Sequence, residues 1–210
     1  MFTWRKLGKV FTPQTVGGRP WLEEFAQAPA TLLFDDVVRV YFSCRPRADS
    51  TGQYVSYSAY VELDRGNLFE VKNVSDQPVL ALGSVGEFDE FGTYPISVIR
   101  AGNEVRAYYA GWTRCESVPF NVAIGVATSR DEGKTFVKCG PGPILAYSPD
   151  EPFVLSGPKI RRFNGIWYLW YIAGRKWKVV DGRAEPVYKI RMATSADGMH
   201  WSKANRDLIE

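Results

Sequence analysis

The sequence predicts an all-β chain folded as a β-propeller of four-stranded antiparallel blades, three of them within the chain. Two repeating landmarks and one absence carry that prediction. The first landmark is a hairpin that recurs as APATLLFDDVVRVYFSCR (28–45), YPISVIRAGNEVRAYYAGW (94–112) and GPKIRRFNGIWYLWYIAGR (157–175). Its prolines fall at Pro29, Pro95 and Pro158, spacings of 66 and 63. The second landmark closes a following hairpin: YVSYSAYVELDRGNLF, NVAIGVATSRDEGKTF and YKIRMATSADGMHW end on Phe69, Phe136 and Trp201, spaced 67 and 65. The absence is helical spacing, since residues 19–28 are the only stretch with room for a helical turn. Four short strands in a unit of roughly 65 residues describe a propeller blade.

Each element has its own reason. The leading strand of every unit starts at a proline and runs apolar, and the second is dense in Tyr, Trp and Val, residues that suit a pleated, half-buried surface. The turns between them are Asp35-Asp36, Gly102-Asn103 and Asn164-Gly165, and the Asn-Gly pair is the strongest hairpin signal because it suits a type I′ turn. A small-residue third strand, a polar Asp/Gly turn and a closing aromatic complete each unit. The blades are expected at about 26–80, 92–146 and 155–210.

The composition narrows the function. A chain of 210 residues that is 45% hydrophobic and 14% aromatic is built to bury a core. Its formal net charge of +3 is too small to predict nucleic acid or an anionic membrane as the partner. No apolar run approaches a membrane helix or a signal peptide, and Cys44, Cys115 and Cys139 suit neither a disulfide framework nor a zinc knuckle. A reducing cytoplasm is the expected compartment. With His200 the single histidine, a Ser-His-Asp triad and a histidine metal site are disfavoured, and chemistry would rest on carboxylates, hydroxyls, Arg, Lys and aromatics.

The turns SRDEGKTF and SADGMHW, with GEFDEFGTYPISVI, RAYYAGW and VAIGVATSRDEGKTF, resemble five-bladed propellers of glycoside hydrolase families 43, 32, 62 and 130. Arabinanase, levansucrase and invertase-like proteins are of this kind, some associated with bacterial surface polysaccharides. The resemblance implies a carbohydrate substrate and hydrolysis of O-glycosidic bonds. It also implies a ring of five blades, about 325 residues at this period, so a truncated chain, self-association or closure by another chain is expected. Residues 1–12 would then supply the ring-closing strand. The resemblance departs at the catalytic acids: the family 43 positions hold Ala28, Tyr94 and Ser156, so none of those acids carries over. A calcium ion at the funnel centre is compatible with such a fold but is not demanded, and no cofactor is predicted.

Antiparallel connectivity sorts the loops. The loops near 13–28, 44–54, 80–95, 112–121, 144–157 and 173–187 share one mouth, here called the top. The turns at Asp35, Asp36, Asn103, Asp131, Asn164 and Asp197, with His200, lie at the opposite end as turn formers. Glycoside hydrolysis needs two carboxyl groups across the scissile bond, and Asp89 or Glu90 with Glu151 is the candidate catalytic set. Arg45, Tyr94, Trp112, Arg114, Ser156, Arg175 and Trp177 are the candidate substrate-binding residues. Indole faces stack on sugar rings and guanidinium forks hold carboxylates or phosphates, so an anionic sugar, a nucleotide sugar or a phosphate co-substrate suits the mixture. Each acid has a plainer reading as a solvated loop acid or an arginine partner, and Trp112 and Trp177 as packing between blades. Two function classes follow, a glycosidase working through top-face carboxylates and a non-catalytic carbohydrate-binding or scaffolding propeller. A phosphorylase whose arginines bind phosphate is the third.

Overall fold

The computed structural model describes residues 2–209 and is all-β. Three four-stranded antiparallel sheets follow one another along the chain. The first holds β1 (Glu24–Leu33), β2 (Val37–Arg45), β3 (Tyr57–Asp64) and β4 (Val71–Val74). The second holds β5 (Gly92–Ala101), β6 (Glu104–Arg114), β7 (Phe120–Ser129) and β8 (Val137–Lys138). The third holds β9 (Phe153–Phe163), β10 (Ile166–Val180), β11 (Arg183–Ser195) and β12 (Ser202–Lys203). Strand order within each sheet follows the chain, as in a propeller blade. The three sheets do not close a ring.

A 3-10 turn at Pro13–Thr15 is the one helical element among the described residues, and the 19–28 stretch enters β1 instead. Among the described residues, no helix is long and apolar enough to cross a membrane. Residues 2–12 carry no strand, and the described residues offer no fourth or fifth sheet against which they could pair; Met1 and Glu210 lie outside the described residues. At the β9–β10 hairpin Asn164 and Gly165 both adopt positive φ, 49° and 81°, as a type I′ turn requires.

The sheets pack face to face around two apolar layers. Between the first and second lie Leu32, Tyr41, Tyr60, Ile96, Val98 and Tyr109. Between the second and third lie Tyr108, Ile124, Val126, Ile160, Trp167 and Leu169. The outer face of the first sheet, with Phe42, Val61 and Leu63, is covered by Leu22, Phe11 and Trp21 of the N-terminal segment.

A repeated latch stitches each pair of sheets. The turns Ser129–Gly133 and Ser195–Gly198 are held by their own side chains. Ser129 Oγ accepts from Gly133 N at 2.8 Å and Ser195 Oγ from Gly198 N at 2.9 Å. Burial would raise the Asp131 carboxyl, but bonds donated by Ser129, Thr135 and Lys134 bring it down to about 2. Into these turns the preceding sheet sends an Arg-x-Tyr pair. Arg39 donates to Glu132 O (2.6 Å) and Tyr41 to Gly133 O (2.7 Å); Arg106 donates to Asp197 O (2.6 Å) and Tyr108 to Gly198 O (2.9 Å). Gly133 and Gly198 need positive φ (84° and 77°), and a Cβ on either would collide with the tyrosine hydroxyl.

Candidate functional site

The inner strands β1, β5 and β9 share one irregularity. Their pairing slips between Gln27 and Ala30, between Thr93 and Ile96, and opposite Trp170 and Ile172, at the three repeated prolines. Proline has no N–H to give the ladder, so the strand bulges there and its side chains are re-aimed. The backbone ahead of each proline departs from extended geometry as well: Ala28 has φ 50°, Gly157 has φ 61°, and the Tyr94–Pro95 peptide is cis. Tyr94 and Ser156, on two of these bulged strands, β5 and β9, line a cavity of about 1200 Å³.

Five of the seven predicted binding residues meet in that cavity: Arg45 from the first sheet, Tyr94, Trp112 and Arg114 from the second, and Ser156 from the third. Trp112 lies over Gly92, where a Cβ would fall inside the indole, so the glycine sets the ring's seat. The Arg114 guanidinium stacks 4.4 Å from the Phe91 ring centroid and donates to Tyr54 O at 3.1 Å, joining second sheet to first. The Arg45 guanidinium lies over Phe25, Tyr54 and Tyr94 at 5.1, 5.1 and 5.7 Å, a three-ring cage. The Tyr54 hydroxyl is itself pushed up, first by a bond to Glu24 and then by burial.

Two predicted binding residues lie elsewhere. Trp177 packs edge-on against Phe120, ring centroids 5.6 Å apart, in an apolar cluster with Ala110, Val122 and Val154. It joins the second blade to the third. Arg175 is exposed, outside the lining, and donates to Asp150 O at 3.0 Å.

None of the three predicted acids lines the cavity. Asp89 and Glu151 are each 0% exposed. Asp89 Oδ2 accepts from the Tyr109 hydroxyl at 2.9 Å and lies 2.6 Å from Lys138 Nζ. Glu151 Oε1 accepts from Tyr171 (2.8 Å) and Arg191 (3.1 Å), and Oε2 lies 2.6 Å from Lys203 Nζ. Burial alone would raise the Glu151 carboxyl; Lys203, Tyr171 and Arg191 outweigh it and hold it below its ordinary range. Burial followed by the adjacent acid pushes Tyr109 and Tyr171 well up, so both hydroxyls stay donors. Glu90 accepts from Gly86 N at 3.0 Å within its own loop. The acids lie in the loops that sequence reasoning sends to the top, but Asp89 and Glu151 turn inward to side chains of their own blade's strands, while Glu90 bonds within its loop.

The carboxylates that do line the cavity are Glu116, in the β6–β7 loop, and Glu185, on β11. Both are exposed. Tyr54 and Tyr188 add aromatic surface. The signal for Glu185 and Tyr188 was length. The third sheet's second and third strands run 15 and 13 residues against 9 and 8 in the first, which extends that hairpin toward the cavity. Glu116 sits in the AGWTRCE run beside Trp112 and Arg114. Among the described residues no group of three or more His, Cys, Asp or Glu is placed so that it could hold a metal ion.

No family model matches the chain. It is 34% identical over 208 residues to the uncharacterized protein Rv1502 of Mycobacterium tuberculosis, covering 99% of this chain and 66% of that protein. The chain thus spans just under two thirds of that relative's length. Among solved structures, a glycoside hydrolase superposes with a TM-score of 0.72 at 15% identity, over 98% of this chain and 62% of its own. A family 32 β-fructofuranosidase of Bombyx mori, solved in complex with sucrose, superposes with a TM-score of 0.59 at 17% identity, over 85% and 34%. At these identities the likeness is one of architecture: the chain has the blade fold of glycoside hydrolases.

Proposed function

We propose that this protein binds a carbohydrate in the cavity at the mouth of its three blades. The observation that supports the reading is the convergence of Arg45, Tyr94, Trp112, Arg114 and Ser156 from three sheets on one open cavity. Half-buried Trp112 and Tyr94 offer ring faces to sugar C–H surfaces, while Arg45, Arg114 and Ser156 offer donors to hydroxyl or anionic oxygens. The blade fold shared with a β-fructofuranosidase solved with sucrose is consistent with this use. Trp112→Ala tests it: glycan affinity measured by calorimetry should fall by about tenfold or more in a protein that remains folded by circular dichroism. Unchanged affinity, or no binding by the wild type to any chain of a broad glycan array, would sink the reading.

A second reading, hydrolysis of the bound glycan, draws on Glu116 and Glu185. They are cavity carboxylates on two different blades, and neither is in an ion pair among the described residues. One would protonate the leaving oxygen while the other activates water or attacks. The expected outcome is loss of turnover in both Glu116→Gln and Glu185→Gln with glycan binding retained. Turnover that survives both changes rules this reading out. The position of Asp89 and Glu151, buried against cations, favours binding over any chemistry centred on those two acids.

A further inference from the structure

Arg45 is the exception among the buried and half-buried arginines of this fold. The other buried and half-buried arginines meet a carboxylate. Arg39 meets Glu62, Arg106 meets Glu104, and Arg191 meets Glu151 and Asp207. Arg19 pairs with Asp76, and Arg114 lies 3.5 Å from Asp49. Removing a guanidinium from water without a counter-charge is costly, and proteins normally avoid it. Arg45 is half-buried, lines the cavity, and forms no ion pair with any described residue. Glu24 is its cross-strand partner in the ladder, yet the two side chains form no ion pair.

What holds Arg45 is geometry rather than charge. The rings of Phe25, Tyr54 and Tyr94 cover its guanidinium, and Phe25 and Tyr54 brace each other edge-to-face at 5.9 Å. Its Nε donates to Ser56 Oγ at 3.1 Å. Ser56 is itself buried and pinned, accepting through its carbonyl from Thr93 N and donating through its N–H to Phe91 O. With Nε tied and the faces covered, the two terminal nitrogens are the remaining donors, and neither makes a hydrogen bond to a described residue. That is a preorganised fork whose partner is a planar pair of oxygens. A neutral sugar hydroxyl would use one of these donors, whereas a carboxylate would take both and bring a direct counter-charge.

Resting on the carbohydrate-binding reading, we infer that the saccharide taken by this cavity bears a carboxylate, as a uronic acid does, and that Arg45 receives it while Trp112 stacks on a ring. The exposed Glu116 and Glu185 on the other two blades are screened by solvent, and they set a limit on how many such charges the ligand carries. The caged cation is a specificity determinant. It separates acidic from neutral chains of the same shape.

The experiment needs no variant at its first step. Wild-type protein is titrated with the best uronate-containing oligosaccharide from a glycan array and with the same oligosaccharide after its carboxyl groups are reduced to hydroxymethyl. The acid form should bind about 10- to 100-fold more tightly. Arg45→Met should erase that ratio by weakening the acid form alone, and Arg45→Lys should recover part of it. Trp112→Ala should weaken both forms and leave the ratio standing. Equal affinity for the two forms, a preference of the array for neutral chains, or neutral-chain binding that requires added inorganic phosphate would each overturn the inference while leaving carbohydrate binding intact. An array without any bound chain overturns both.

Discussion

Two buried acids occupy matching places in successive blades and are neutralised differently. Asp89 and Glu151 each lie in the loop before an inner strand, five residues ahead of Tyr94 and Ser156 respectively. Each accepts from a tyrosine of the second strand and approaches a lysine of the short outer strand. The third blade adds Arg191, which bonds onward to Asp207 at 2.8 Å, whereas Asp89 has one lysine, which also lies 3.7 Å from Glu87; the two lysines are equally exposed, 16%. The first blade omits the buried ions: Glu23, five residues ahead of Ala28, is partly exposed and pairs with Arg47. At the place of Tyr109 it has Phe42, packed 5.2 Å from Phe11 of the N-terminal segment. One structural slot is therefore filled by an ion cluster, a smaller ion cluster or hydrocarbon, the pattern expected of groups that anchor the loops leading to Tyr94 and Ser156.

The comparison breaks if the two acids turn out equivalent. Glu151→Gln takes the shared carboxylate from Lys203 and from one arm of Arg191, leaving the arginine only Asp207, and should cost about 3 kcal/mol of unfolding free energy in urea titration. Asp89→Asn leaves a single lysine, still near Glu87, and no arginine, and should cost about 1–2 kcal/mol. The pH dependence sharpens the contrast. The Glu151 carboxyl sits below its ordinary value of 4.5 when folded. Its contribution is therefore full above that value and is lost as pH falls through the lowered one. Stability of the wild type should fall across that acid range, and the fall should be shallower in Glu151→Gln. A Glu151→Gln protein of wild-type stability, with glycan turnover abolished, would reassign the residue to catalysis.

How much of this was legible in the sequence follows from which interactions are local. The repeat spacing of Pro29, Pro95 and Pro158 reflects a covalent period, so the three sheets and the shared mouth could be read directly from it. Arg45, Trp112 and Arg114 follow as well, because a side chain at a strand's end points where the strand delivers it. Asp89 and Glu151 could not be placed: whether a loop acid faces solvent or turns inward depends on Lys138 and Lys203, 49 and 52 residues further along the chain, and on the tyrosine between. Trp177 belongs to the same class, since its partner Phe120 is on another blade. Glu116 and Glu185 carried a weak signal in loop position and hairpin length, and the stronger acidic run at Glu87–Glu90 masked it.

The smallest predicted effects concern the latch between blades. Tyr41 and Tyr108 are buried, burial pushes both hydroxyls up to about 12, and each donates to a glycine carbonyl of the next sheet. Tyr108→Phe and Tyr41→Phe should each cost about 1 kcal/mol, the worth of a net intramolecular hydrogen bond, because Arg106 and Arg39 still hold the neighbouring carbonyls. The corresponding place in the third blade is Trp170, half-buried and stacked on Tyr168 at 5.9 Å, with no following turn among the described residues to reach. Trp170→Phe should therefore change stability by no more than about 0.5 kcal/mol. If Trp170→Phe costs as much as Tyr108→Phe in matched urea titrations, the face turned away from the second sheet is covered in solution, and the third blade has a neighbour of its own.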